Sequence, residues 1–184
     1  MPQHRRRRSA RRDALAMLEQ DHVRIVARFD RLVTGEAGRP QEVVRLVAEA
    51  CEALEMHARL EEDLFYPAVR HEIADRDYLE DGLVEHGAID ALAAELRGMP
   101  PGDACFAATA RVLLEQLRHH IAKKERRVFP QVRRAGLDLA GLGEQLRNRQ
   151  AEMLAQRAPA SSDAPIIRRA RGATVARYPG FAPF

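Results

Sequence analysis

The sequence predicts an all-α protein: an antiparallel up-and-down four-helix bundle, then a short fifth C-terminal helix, with disordered basic tails. Three observations carry this prediction. Apolar residues recur at spacings of three and four over long stretches, the chain between the tails contains no stretch that alternates with the period of a strand, and Gly- and Pro-rich turns separate the stretches. Four long helices joined by short connections favour an up-and-down bundle.

The first two predicted helices form one hairpin. The first helix covers about 12–34, and one of its faces carries Leu18, His22, Ile25, Phe29 and Leu32. The turn GEAGRP (35–40) ends this helix, and its proline suits the start of the next one. The second helix covers about 41–71, and Pro67 interrupts its hydrogen-bond ladder because proline lacks an N–H group.

The next two predicted helices repeat this plan. The third helix covers about 76–97, and the segment GMPPGD (98–103) ends it. The fourth helix covers about 104–134, with Pro130 as a second interruption. A fifth, shorter helix is expected over about 138–155, after which the apolar periodicity is lost.

Composition excludes several classes of protein. Two cysteines in 184 residues, in no CxxC pattern, exclude a disulfide scaffold and a cysteine-based zinc site. The apolar stretches are too short to span a membrane, and acidic and basic residues interrupt any secretory h-region after the basic start. We therefore predict a cytoplasmic protein without a membrane span.

Charge divides the chain into three parts. The first twelve residues hold six Arg and no acid, residues 157–184 hold five Arg and one Asp, and the part between them has seven more acids than bases. We predict a basic arm over 1–11, a helical domain over 12–156 and a flexible basic tail over 157–184. An alternative function follows from the tails: a regulatory module that binds nucleic acid or an acidic partner.

An internal repeat is the strongest signal in the sequence. HARLEEDLFYP (57–67) and HIAKKERRVFP (120–130) share the His, a Glu five residues later, an aromatic residue nine later and a Pro ten later. Upstream of each segment stands another histidine, in QDH ending at His22 and in VEH ending at His86. Two copies of one helical hairpin would therefore bring four histidines and several carboxylates to one level of the bundle.

Such a polar layer is costly inside an apolar bundle unless it binds something. Unpaired buried charges cost several kcal/mol each. A di- or trivalent cation would neutralise the carboxylates and use the imidazole lone pairs. Donor sets of nitrogen and oxygen without thiolate suit Fe, Mn or Zn, and in a helical bundle they favour iron. A carboxylate from each half can bridge two ions about 3.5–4 Å apart.

Helical geometry distinguishes the two copies. His57 and Glu61 are four residues apart, so they share a face. Four residues after His120 stands Lys124, a cation that cannot coordinate a metal while protonated, and the acid Glu125 is one residue further. We therefore expect Glu125 to reach the site only through a local π-type widening of the fourth helix.

These motifs resemble the hemerythrin-like, HHE cation-binding family over about residues 12–156. The resemblance implies a four-helix bundle with a non-haem, oxo- or hydroxo-bridged di-iron centre, and O2-, NO- or redox-linked chemistry. Carried over residue by residue, it implies iron ligands at His22 and His57 for one ion and at His86 and His120 for the other. Glu61 and Glu125 would bridge the two ions.

One position departs from hemerythrins proper, which have a second His one turn after the third-helix ligand. Asp90 stands there, either as a ligand or with a water in its place. An anionic ligand favours ferric iron, so we expect a sensor of O2, NO or redox state, or an iron-handling protein, rather than a reversible O2 carrier. Catalysis is not expected; if there is any, its class is peroxide or NO turnover. The remaining alternative is a degenerate bundle with a mononuclear or absent metal site.

Overall fold

The structure, a computed structural model, describes residues 13–36, 38–74 and 76–157. Its α-helices are α1 (Ala14–Val33), α2 (Pro40–Leu60), α3 (Tyr66–Val69), α4 (Asp77–Gly98), α5 (Phe106–Lys123), α6 (Phe129–Arg134) and α7 (Leu139–Arg157). A first π turn, Glu61–Phe65, joins α2 to α3, and a second π turn, Lys124–Val128, joins α5 to α6. The predicted basic arm and nearly all of the predicted basic tail lie outside the described residues.

The predicted all-α bundle is confirmed. Helix α1 packs against α2 and α5, and α4 packs against the same two helices, so the four long helices surround one interior. Helix α7 is the predicted fifth helix, and it covers α1, α2 and the first π turn. It is not short as predicted, since it has 19 residues and α5 has 18. Within the described part of the chain, no helix has both the length and the apolar character needed to cross a bilayer.

Helix ends follow local sequence signals. The Asp13 carboxylate caps α1 by accepting a 2.7 Å hydrogen bond from the backbone N–H of Ala16. Pro40 is the first residue of α2, where its missing N–H costs nothing. Gly35 and Gly136 follow helix ends with φ angles of 71° and 76°, a left-handed conformation that glycine adopts without strain.

Each π turn ends two residues before a proline. The N–H of Tyr66 donates to the carbonyl of Glu61, and the N–H of Phe129 donates to the carbonyl of Lys124, both across five residues. Pro67 and Pro130 follow at once, and neither can donate a hydrogen bond to the preceding turn. The wider turn removes the clash between the proline ring and that turn, so the repeated proline explains why both hairpins widen at the same place.

Two separate apolar clusters fill the bundle. The first, the proline-end core, includes Leu15, Leu18, Leu60, Phe65, Phe129 and Leu146. The second, the distal core, includes Ile25, Phe29, Leu54, Ile89, Leu113 and Leu117. A layer of buried polar side chains lies between the two cores. Among the described residues every buried polar side chain except Thr109 belongs to this layer, which consists of His22, His57, Glu61, His86, His120 and Lys124.

Truncation in the distal core should destabilise the bundle. Phe29 is 0% exposed, so Phe29→Ala should lower the free energy of unfolding by about 3–5 kcal/mol, since it removes contacts and leaves a cavity. Val23 lies on the same helix but is 70% exposed, and Val23→Ala should change stability by less than about 0.5 kcal/mol. Urea denaturation followed by circular dichroism measures both values. Equal effects of the two substitutions would contradict the assigned core.

Candidate metal centre

Four histidines converge in the polar layer, one from each long helix. His22 lies on α1, His57 on α2, His86 on α4 and His120 on α5, and all four are buried. The ring centroids of His22 and His57 are 4.8 Å apart, and those of His86 and His120 are 4.7 Å apart. The rings therefore form two pairs, one from each hairpin.

Glu61, the first residue of the first π turn, lies between the two pairs. Its carboxylate belongs to two groups of potential ligands, one with His22 and His57 and one with His86 and His120. Within each group the ligand atoms lie within 4.8 Å of one another. Because Glu61 is 0% exposed and shared by both groups, it is the centre of the layer.

Three further carboxylates hold three of the four histidine rings from outside. Nδ1 of His22 donates to Glu125 over 2.7 Å, and Nδ1 of His86 donates to Glu62 over 2.7 Å. Nδ1 of His120 donates to Glu85 over 2.6 Å. A carboxylate on one ring nitrogen fixes the tautomer and the orientation of the ring, which leaves Nε2 for a metal.

Lys124 occupies the interior beside Glu61. Its ammonium group donates to Oε2 of Glu61 in a short hydrogen bond, and the lysine is only 4% exposed. The hydroxyl of Tyr66 donates to the same oxygen over 3.4 Å. Oε2 of Glu61 therefore has two donors, and the buried carboxylate has a cation against it.

Four buried polar atoms in the layer have no hydrogen-bond partner. They are Nε2 of His22, Nδ1 and Nε2 of His57, and Oε1 of Glu61. Leaving a buried polar group unsatisfied costs about 1–3 kcal/mol. Three of the four atoms are the potential ligand atoms of a single group, so one cation placed among them would satisfy all three. This donor set fits a metal ion.

The ion pair sets the protonation of its two members. Burial would raise the pKa of Glu61, but the Lys124 ammonium and the neighbouring His57 hold it well below its usual value. Burial lowers the pKa of Lys124, and the attraction of Glu61 opposes that shift. Glu61 is therefore anionic at neutral pH, as a ligand or bridge must be.

Two of the histidines are held neutral. Burial, with His57 and Lys124 nearby, lowers the pKa of His22 to about 2. Burial and then Lys124 lower the pKa of His120 to about 3. For His86, burial would lower the pKa, but the hydrogen bond and charge of Glu61 outweigh it and raise the value. Neutral imidazole is the form that binds metals.

Five of the seven predicted site residues come together in this layer: His22, His57, Glu61, His86 and His120. Asp90 does not join them. It is exposed, and it lines a surface cleft with Cys51 and Arg97. The buried Ile89, three residues after His86, occupies the interior face that Asp90 was expected to share.

Glu125 also lies outside both groups, unlike the predicted bridge. The expected π-type widening is present, but it begins at Lys124. Because the helix is regular α between His120 and Lys124, the lysine shares the face of His120 and points inward. Glu125 is left at the edge of the layer, 38% exposed, where its carboxylate binds His22 Nδ1.

The outer carboxylates Glu62 and Glu85 were not among the seven predicted site residues, although each holds a histidine ring. The repeat held a signal for Glu62, since it stands five residues after His57 just as Glu125 stands five after His120. Each of these two acids binds the first histidine of the other hairpin. Glu85 directly precedes His86, as Asp21 precedes His22, but sequence alone does not show which ring such an acid faces.

A helical bundle with two histidine pairs about a shared buried carboxylate defines a class, the four-helix proteins built around a cation site. The chain belongs to the Hemerythrin HHE cation binding domain family, whose match covers residues 13–132 and confirms the resemblance. A search of curated proteins finds no match.

A solved structure shares this fold. It is the crystal structure of a Hemerythrin HHE cation binding domain-containing protein from Mycobacterium kansasii, with a TM-score of 0.68 and 22% sequence identity. The similarity covers 78% of this chain and 88% of that one. At this identity the comparison supports the fold alone.

The neutral histidines predict acid sensitivity of the metal-free protein. Below about pH 6.5 the unfolded chain binds a proton on His22 and on His120, while the folded chain does not, so stability falls as pH falls. Between pH 6.5 and 5 the slope should approach about 2.7 kcal/mol per pH unit. His86, with its raised pKa, is protonated in both states over most of this range and adds little slope.

Urea denaturation of chelator-treated protein at several pH values in this range measures that slope. The double substitution of His22→Gln and His120→Gln should flatten it, because neither state then gains these protons. A free energy of unfolding that does not change between pH 6.5 and 5 would contradict neutral, buried rings.

Proposed function

We propose that this chain is a di-iron protein that senses O2, NO or redox state or handles iron, with its metal centre in the polar layer. The observation that carries the proposal is the group of unpartnered ligand atoms on His22, His57 and Glu61. A folded chain does not bury such atoms in an apolar bundle without a compensating ligand. A cation satisfies all of them at once.

The position of Glu61 supports two ions rather than one. Its Oε1 lies 3.4 Å from Nε2 of His57 and 4.0 Å from Nε2 of His22. Its Oε2 lies 3.3 Å from Nε2 of His86. One oxygen therefore faces each histidine pair, and a carboxylate in this position can hold two ions side by side.

The donor chemistry supports iron. The two groups offer imidazole nitrogen and carboxylate oxygen, and the thiol of Cys51 is turned away, donating to the carbonyl of Ala93. Bound iron would supply reversible one-electron chemistry and an open position for O2, NO or peroxide. The protein contributes fixed imidazole orientations, the Tyr66 hydroxyl beside Glu61 and two apolar cores that exclude water. The cytoplasm, predicted from composition, suits this role.

Iron content tests the proposal. Protein purified aerobically should contain about two irons per chain and show a near-ultraviolet charge-transfer band. His120→Ala removes a ligand and should lower the iron content to about one or less. His119 is the neighbouring exposed histidine, and His119→Ala should leave content and spectrum unchanged. Wild-type protein that binds no iron or other transition metal after anaerobic reconstitution would refute the proposed function.

A second substitution separates a ligand from a positioning residue. Glu125 binds His22 Nδ1 from outside, so Glu125→Ala should keep the metal stoichiometry and weaken affinity by about 10–100-fold. Glu19→Ala is the matched control, because Glu19 is 40% exposed and pairs with Arg133. Metal affinity is measured by competition with a chelator. Loss of one ion per chain would instead identify Glu125 as a bridge, as the family resemblance implies.

A further inference from the structure

The internal repeat gives the two halves of the metal centre corresponding residues, but at one pair of corresponding positions the residues differ in charge. Glu61 stands four residues after His57, and Lys124 stands four residues after His120. Both side chains are buried and point into the layer, where they contact each other. The second hairpin therefore places a fixed cation where the first places a carboxylate.

The half formed by His22, His57 and Glu61 is open. Nε2 of each histidine and Oε1 of Glu61 are buried and have no hydrogen-bond partner. These three atoms are also the three potential ligand atoms of one group. A cation entering this half breaks no hydrogen bond at the atoms that it binds.

The half formed by Glu61, His86 and His120 is closed by its own contacts. Nε2 of His86 and Nε2 of His120 are 3.1 Å apart, within hydrogen-bond distance, so each of these atoms has the other as its partner. Because both Nδ1 atoms already donate to carboxylates, this bond needs a proton on one Nε2, and an entering cation must displace that proton. Oε2 of Glu61 accepts from the ammonium of Lys124 and from the hydroxyl of Tyr66. A cation entering this half must replace these interactions and approach a buried positive charge.

The cavities beside the two halves also differ in volume, and the open half has the larger one. His57 lines a cleft of about 390 Å³ between α1, α2 and α7, whose walls carry three acids and three arginines. His120 and Lys124 line a cavity of only about 10 Å³, which is close to the minimum for one water. The open half thus also lies beside the larger cleft.

We infer that the two halves bind metal in a fixed order and with unequal affinity, because Lys124 is a built-in cation that occupies the second half until a metal displaces it. The His22 and His57 half takes the first divalent cation, and the His86 and His120 half takes the second only when the lysine leaves Glu61. This inference rests on the proposed function and deepens it, since it assigns a role to a residue that is not a ligand.

Binding of the second ion requires Lys124 to leave Glu61. Glu61 is the residue with which the described structure pairs the Lys124 ammonium, and the nearby Tyr66 ring lies 5.7 Å from it. A second ion on Oε2 would compete with the ammonium for that oxygen and repel it. Because like charges in a buried site cost several kcal/mol, the second affinity should be at least about 10-fold weaker than the first.

Titration of the metal-free protein with Co²⁺ tests the order, since calorimetry counts the binding steps and the visible d–d spectrum reports ligand geometry. The wild-type protein should show a tight step and a second step at least about 10-fold weaker. His22→Ala should abolish the tight step. His120→Ala should retain it and abolish any weak one.

Lys124→Met tests the cause. It keeps most of the length of the side chain and removes the charge, so the second step should tighten by at least about 10-fold. Arg118→Met is the matched control: Arg118 lies on the same helix as His120, is exposed, and pairs with Asp30 outside the polar layer. The control removes the same charge and should leave the affinity of the second step within about 3-fold of the wild type, well below that threshold.

Each outcome bears on one hypothesis. Two equal steps in the wild type, loss of the tight step in His120→Ala but not in His22→Ala, or an unchanged second step in Lys124→Met would overturn the inference while leaving a metal protein. Absence of any Co²⁺ binding, with iron also absent, would overturn the proposed function itself. If Lys124→Met does not fold without metal, the wild-type and histidine titrations still decide the order of binding.

Discussion

A single buried carboxylate is the constraint on which the rest of this bundle depends. Glu61 is shielded from water, and an isolated ionised carboxylate in such a place would be protonated or would unfold the chain. It stays charged because Lys124 donates to it and because histidines surround it. The histidines, the π turns and the two prolines all serve to place groups of the right charge around that one anion.

Each hairpin also supplies a carboxylate that binds a histidine of the other hairpin. Glu62, in the first hairpin, holds His86 of the second, and Glu125, in the second, holds His22 of the first. Each hairpin thus orients one ring that the other supplies, so neither ring pair is fully oriented by its own hairpin. A mutation in either outer carboxylate acts on the opposite hairpin, at a distance of 24 or 103 residues along the chain.

Periodicity and repetition predicted most of this arrangement from the sequence. The helices, their proline interruptions, the four inward histidines and Glu61 follow from spacing that can be counted along the chain. The positions of Glu125 and Asp90 relative to the site could not be predicted from spacing. It depends on the residue at which the π turn begins and on whether Ile89 or Asp90 takes the interior face, and both are settled by packing between helices.

The division of the interior into two apolar clusters has a consequence for how the chain folds. The proline-end core and the distal core meet at the polar layer, not at an apolar surface. Cooperative unfolding of the domain therefore depends on contacts across this polar layer. When the charges in the layer are balanced, the two cores should unfold together. A ligand bound in this layer would link the two apolar cores. Its loss should therefore first increase local opening at the layer, and should not lower the stability of the whole domain evenly.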